Sequence, residues 1–173
     1  MVDKTAVRAF MVECMSRGWV VEQADCTNAY INARMDQEVY IKMPTGFYDE
    51  KGKVRRLLAA LYGHPRSGQL WYQILVDFIQ EIGFTQSNRD FCFFFSECGN
   101  YLLIVYVDDI LVSALDTALL ADFFSEVGSK YNIRRLGFPQ EFTGLQIHRV
   151  SPNLVIMHHQ AYMHSADGQE IQY

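Results

Sequence analysis

Apolar residues recur at helical spacing early in the chain, at Val7, Phe10, Met11 and Cys14, and Gly18 follows as a stop. This predicts a helix over Thr5 to Arg17. Trp19 to Asp25 then reads as a short strand ending in an acid, Cys26 to Ala33 as a short helix, and Val39 to Lys42 as a strand. Met43 to Phe47 is a loop by its Pro and Gly, Asp49 to Lys53 a polar turn, and Val54 to Leu58 a further strand. After a break at Gly63 to Gly68, one side of a long helix is traced by Leu70, Trp71, Ile74, Leu75, Phe78, Ile79 and Ile82, with Ser67 as its expected cap. Gly83 ends it. Phe91 to Phe95 and Tyr101 to Val107 are strands around a turn at Cys98-Gly99-Asn100, and Ile110 to Ser113 completes a hairpin. A second long helix spans about Asp116 to Tyr131. Strands at Glu141 to His148 and Leu154 to His158 precede a polar tail from Ser165. No repeat or linker divides the chain. The expected fold is α+β, with helices packed on one face of a largely antiparallel sheet.

One stretch of this pattern carries a contradiction. Asp108 and Asp109 stand between the apolar runs Leu102 to Val107 and Ile110 to Val112. Ionised carboxylates beside a core are costly unless cations or hydrogen-bond donors compensate them. A polar hairpin turn is one reading, since Asp suits turns. Yet tight two-residue hairpin turns favour Asn-Gly or Asp-Gly, and no Gly stands here. The other reading is a pair of hard oxygen ligands for Mg²⁺.

Composition adds boundaries. The chain has 173 residues, half of them hydrophobic, which suffices for one well-formed core. No apolar run reaches membrane-spanning length and the N-terminus lacks a signal-peptide layout, so an intracellular protein is expected. Cys14, Cys26, Cys92 and Cys98 form no CxxC pair and read as reduced, mostly buried thiols. His64, His148, His158, His159 and His164 show no ligand spacing and read as surface or core residues. The net charge of −5 leaves only local basic clusters for phosphate: Lys51, Lys53, Arg55 and Arg56, then Lys130, Arg134 and Arg135. A weak grip on nucleic acid is expected of this chain by itself.

Tyr106-Val107-Asp108-Asp109 resembles the YxDD box of reverse transcriptases, and its neighbours follow in the order of that family. Gln23 to Asn32 resembles the Asp-Val-x-x-Ala-Phe/Tyr-x-x-Gly box of copia-type members. Glu38 to Phe47 is similar to EVYMxQPxGF, and Lys53 to Leu57 with Ala60-Leu61-Tyr62-Gly63 to KVxRLxxxLYG. Trp71-Tyr72 matches the WY of the next helix, Gly83 to Cys92 resembles GFxxSxxDxC, and Tyr131 to Gly137 and Phe142 to Ile147 resemble FxMKDLG and FLGIxI. The resemblance covers about Val7 to Tyr162. It departs at Pro65 to Gln69, where the family has Lys-Gln-Ala-Pro-Arg. The chain is identified as resembling a Ty1/copia-type retrotransposon reverse transcriptase domain.

That resemblance implies a polymerase palm with part of the fingers over residues 1–173, and a chain without the upstream fingers strand, the thumb or RNase H. It implies RNA-directed DNA synthesis by two Mg²⁺ (or Mn²⁺) ions roughly 3.5–4 Å apart. Asp25, Asp108 and Asp109 would be the catalytic and metal-binding residues. Tyr30 falls where the family places an aromatic gate under the sugar 2′-carbon; a core aromatic is its other reading. Cys26 and Tyr106 would join it around the nucleotide, and Arg66, Gln69, Gly144 and Leu145 would contact template or primer. The partners implied are an RNA or DNA template with a DNA primer, dNTPs, and either other polyprotein domains (integrase, RNase H) or a self-association partner. No membrane is implied, and the setting is cytoplasmic, with virus-like particles as one location. Two rivals stand beside this: a truncated or domesticated palm acting as a non-catalytic binding module, and another palm-fold nucleotidyl transferase or cyclase.

Overall fold

The computed structural model describes residues 3–43 and 54–159. The expected loop and turn at 44–53, and the polar tail, lie outside the described residues.

Helix α1 (Lys4–Arg17) starts at Asp3, whose carboxylate accepts from the Thr5 N–H at 2.9 Å, and stops at Gly18, where φ is 67°. That left-handed conformation suits glycine and lets Gly18 and the residue after it return hydrogen bonds to the last helical turn. Strand β1 (Val20–Cys26) follows, then a single turn of 3-10 helix at Ala29–Asn32 where a longer helix from Cys26 was expected. The cause is local. Cys26 completes β1, and Asn28 sits at φ 56°, outside the helical region. Strands β2 (Tyr40–Lys42) and β3 (Val54–Arg56) pair as a small separate ribbon.

Helix α2 (Ser67–Glu81) begins without the expected cap. Ser67 is fully buried, and its hydroxyl turns back to Leu61, donating to the carbonyl at 2.7 Å and accepting from the N–H at 3.0 Å. It therefore ties the preceding loop to the helix rather than closing the helix end. Strands β4 (Phe84–Gln86), β5 (Phe93–Ser96), β6 (Tyr101–Tyr106) and β7 (Asp109–Ala114) run as a meander into α3 (Thr117–Lys130), which Asp116 caps through the Leu119 N–H at 2.9 Å. Strand β8 (Ile133–Gly137) returns to the sheet. The expected strand over Glu141 to His148 divides into β9 (Glu141–Phe142) and β10 (Leu145–Ser151), because Thr143 and Gly144 take φ values of 50° and 78° and reverse the chain. Strand β11 (Leu154–His158) closes a three-stranded sheet.

The main sheet has the order β4-β5-β6-β7-β1-β8, antiparallel throughout. Period-two alternation sorts its residues cleanly. Ala24 and Cys26 of β1, Leu103 and Val105 of β6, and Ile110 and Val112 of β7 face α2 and α3 in one core. Val21, Ile104 and Leu111 face the other way, against α1 and the sheet of β9, β10 and β11. This is a palm-like α+β domain, with α2 and α3 on one face of the main sheet and α1 on the other. Each fully buried Leu, Ile or Phe contributes about 1.5–3 kcal/mol, so β6 and β7, buried on both faces, form the least movable part of the sheet. That rigidity is what the turn between them inherits.

Candidate active site

Asp109 opens β7 rather than lying in the turn, and its Cα stands opposite that of Asp25 on β1. Side chains directly opposed on adjacent antiparallel strands have Cβ atoms about 4.5–5.5 Å apart. Both carboxylates emerge on the face of α1 and the three-stranded sheet, because they share the parity of Val21 and Leu111 along their strands. Asp108 lies beside them. The Cys26 N–H donates to its carbonyl at 2.7 Å, fastening the turn to the end of β1.

Tyr106 pairs with Asp109, so the hairpin turn consists of only Val107 and Asp108. The structure thus builds the tight turn that the absence of Gly spoke against. The cost appears at Val107, a β-branched residue at φ 58°. Such a residue in the left-handed region costs about 1–3 kcal/mol and persists only where its surroundings impose it. Trp71, 1 % exposed, supplies part of that constraint by donating its indole N–H to the Val107 carbonyl at 2.6 Å. The indole is itself held edge-on to Tyr131, ring centroids 5.2 Å apart.

Each carboxylate has a distinct neighbour. The Gln23 amide donates to Asp109 at 3.2 Å, Arg134 approaches Asp25 at 3.5 Å, and the Tyr62 hydroxyl donates to Asp108 at 3.3 Å. Burial pushes the Asp109 carboxyl above the usual carboxylate range; the Gln23 hydrogen bond opposes this, and the charges of Asp108 and Asp25 add to it. The same surroundings push the Cys26 thiol up to about 12, first through burial and then through Asp25 and Asp108. Three carboxylates therefore share one electrostatic neighbourhood, short of compensating positive charge.

The other sequence-predicted residues are spread more widely. Tyr30 is half-buried on the 3-10 turn, and its ring lies 4.3 Å from that of Tyr62, which links it to Asp108. Cys26 is buried beneath the site, and Tyr106 is half-buried across from Asp109. Arg66 is already engaged: it reaches Asp36 at 2.6 and 3.0 Å and Gln69 at 2.5 Å. Gly144 lies in the turn between β9 and β10, and Leu145 opens β10, fully buried in the core shared with α1 and the main sheet. Of the basic cluster, Arg135 pairs with Glu22 and Lys130 lies over Phe78, leaving Arg134 beside the acids. Gln23, Tyr62, Trp71 and Arg134 were not read as site residues from the sequence. Gln23 could have been found by parity, two positions before Asp25 on the same face.

The donor set is all hard oxygen, which suits Mg²⁺ or Mn²⁺. Among the described residues no group of three or more His, Cys, Asp or Glu side chains stands as a formed metal cage. The present partners of the carboxylates are a phenol, an amide and an exposed guanidinium at 3.5 Å. The donor chemistry of Asp25, Asp108 and Asp109 therefore suits such an ion, while their present partners hold them apart from a formed cage.

Two facing acids at the ends of two central strands of a helix-backed antiparallel sheet, with a third in the adjoining turn, stand in a palm-like domain. The family model for reverse transcriptase (RNA-dependent DNA polymerase) matches residues 1–166, and the chain belongs to that family. Relatives include the retrovirus-related Pol polyprotein from transposon RE2 of Arabidopsis thaliana, 29 % identical over 88 % of this chain and 11 % of that protein. The corresponding polyprotein from transposon TNT 1-94 of Nicotiana tabacum is 28 % identical over 86 % of this chain and 12 % of its own length. The putative transposon Ty5-1 protein YCL074W of Saccharomyces cerevisiae is 30 % identical over 84 % of this chain and 48 % of its own. The copia-type resemblance holds. The chain spans about a ninth of the two plant polyproteins and about half of the yeast protein.

Proposed function

We propose that the chain is the palm of an RNA-directed DNA polymerase of a copia-like retrotransposon. It would add deoxynucleotides to a DNA primer on an RNA or DNA template, within a longer polyprotein and in the cytoplasm. The observation that carries this is the register of Asp25 with Asp109 beside the strained turn bearing Asp108.

Two Mg²⁺ or Mn²⁺ ions held by Asp25 and Asp108, with Asp109 adjusting the charge, would supply activation of the primer hydroxyl and compensation of pyrophosphate charge. The protein's own contribution is placement. Trp71 and the Cys26 N–H hold both ends of the two-residue turn, so Asp108 projects from fixed backbone. Gln23 orients Asp109 and keeps it from turning into the core. Tyr30, its ring 4.3 Å from that of Tyr62, would be the bulky ring that excludes a ribose 2′-hydroxyl. The Tyr62 hydroxyl bonds the Asp108 oxygen that a metal ion or substrate would otherwise take. Arg134 offers a cation near the acids for a phosphate.

A second reading, a non-catalytic palm that binds nucleic acid or protein, is favoured by the engagement of Asp108 with Tyr62 and of Arg66 with Asp36. Incorporation of a single deoxynucleotide on a primed RNA template, with Mn²⁺, separates the two. Incorporation abolished by Asp108→Asn supports the polymerase. Retention of primer–template by a chain that incorporates nothing supports the binding module.

A further inference from the structure

Strands β10 and β11 carry histidines that the linear sequence keeps ten residues apart. The register pairs Gln146 with His158 and His148 with Ile156, so His148 and His158 are diagonal neighbours on the outward face of the hairpin. Ile147 and Met157 point the opposite way, into the core. The two imidazoles lie stacked, with ring centroids 5.1 Å apart and planes within 11°, and their Nε2 atoms approach to 3.1 Å. His148 is exposed, so the pair is open to solvent on one side.

Two ring nitrogens this close must share a proton or a cation. A shared proton requires one ring to donate and the other to accept. A metal ion needs no such asymmetry. Bonds of about 2.0–2.1 Å to two imidazoles at a tetrahedral angle put their nitrogens about 3.3 Å apart. The observed separation is within a few tenths of an ångström of that, on side chains that the strand register makes neighbours. We propose that His148 and His158 form a two-histidine site for a borderline transition-metal ion, Zn²⁺, Ni²⁺ or Cu²⁺, that clamps β10 to β11.

The class of ion follows from the donors. Neutral imidazole suits these ions and is a poor match for Mg²⁺, which the oxygen-only acids accept instead. The protein thereby separates two metal chemistries: hard cations at Asp25, Asp108 and Asp109, a borderline cation at the edge hairpin. Among the described residues no third His, Cys, Asp or Glu completes a cage. Water fills the remaining positions, and the site is open. One cost limits its affinity. Ligation through Nε2 places the proton on Nδ1, and that atom of His158 is buried with no partner among the described residues.

The test is a titration of the EDTA-treated full chain with NiCl₂ and with ZnSO₄, followed by calorimetry and by the melting temperature. One ion per chain should bind, with a rise in melting temperature that grows with metal concentration. His148→Gln and His158→Gln should each lose at least tenfold in affinity for both ions, while Asp108→Asn retains it. His148 is exposed, so His148→Gln is expected to fold, and an unchanged metal-free melting temperature checks that. Binding that survives both histidine substitutions, or that is lost on Asp108→Asn, would overturn the site. So would the absence of binding to the native chain, which would leave the pair as a shared-proton hydrogen bond. None of these outcomes depends on polymerase activity.

Discussion

Trp71→Phe probes how the turn bearing Asp108 is held. The substitution keeps a ring against Tyr131 but removes the indole N–H that reaches the Val107 carbonyl at 2.6 Å. An amide carbonyl left without its donor costs about 1–3 kcal/mol when it stays away from water. Loss of the second indole ring from a position 1 % exposed adds about 1–2 kcal/mol of transfer free energy. The sum is about 2–5 kcal/mol. The lower half is the better expectation, because a cavity of about 620 Å³ lined by Tyr72, Phe91, Val105, Tyr106 and Val107 can bring water to the freed carbonyl. For a chain of this size that is a fall in melting temperature of roughly 4–14 °C. The assay is urea unfolding with a thermal melt, each repeated with Mn²⁺. The turn reports separately: once Val107 can relax from φ 58°, Asp108 is no longer presented firmly and the Mn²⁺-induced stabilisation should shrink. A loss below about 1 kcal/mol together with an unchanged Mn²⁺ response would refute the claim that Trp71 pins the turn.

Tyr62→Phe should leave the ring against Tyr30 but free the Asp108 oxygen, raising Mn²⁺ affinity by about two- to tenfold in a fluorescence or calorimetric titration. Asp109 holds its proton more tightly in the folded chain than in the unfolded one, because burial raises its pKa. Its contribution to stability is thus greatest at low pH and declines as pH rises from the ordinary carboxylate value of 3.8 through the raised folded value. Asp109→Asn should abolish that decline in the metal-free protein, and denaturant midpoints across pH 3–8 would show it. Cys98 is exposed, and its hydrogen bonding with Ser96 and with the Asn100 backbone lowers its pKa, whereas burial raises Cys14 and Cys26 to about 12. Limiting iodoacetamide at neutral pH should therefore alkylate Cys98 first, as peptide mass mapping would reveal.

Much of the fold was legible because burial alternates strongly where the chain is central. The α2 face from Leu70 to Ile82 and strands β6 and β7 follow from apolar spacing alone. Strand β8 was not legible: Arg134, Arg135 and Leu136 are all exposed on an edge, so Ile133–Gly137 has no alternation to read. The break between β9 and β10 depends on backbone conformation at Thr143 and Gly144, which apolar periodicity does not register. At the site, the acids were visible as charge where burial was expected. Their supports were not. Trp71 and Tyr62 reach the turn from 36 and 46 positions away, and both look like ordinary aromatics until the chain is folded. The tight turn ran against local preference because tertiary contacts hold Val107 in a conformation its own side chain disfavours. The histidine pair escaped for a related reason: diagonal contact across a hairpin depends on register, which sequence spacing does not reveal.

The central claim is that Asp25, Asp108 and Asp109 act as one cation-binding unit. Electron paramagnetic resonance of free Mn²⁺, titrated with protein whose His148 is replaced by Gln, tests it without requiring catalysis. The account predicts that Mn²⁺ is taken up and competed off by excess Mg²⁺. It further predicts that Asp25→Asn and Asp108→Asn each weaken uptake by at least tenfold while the fold, judged by circular dichroism, is unchanged. Uptake that is indifferent to both substitutions, or no uptake at millimolar Mn²⁺, would contradict it.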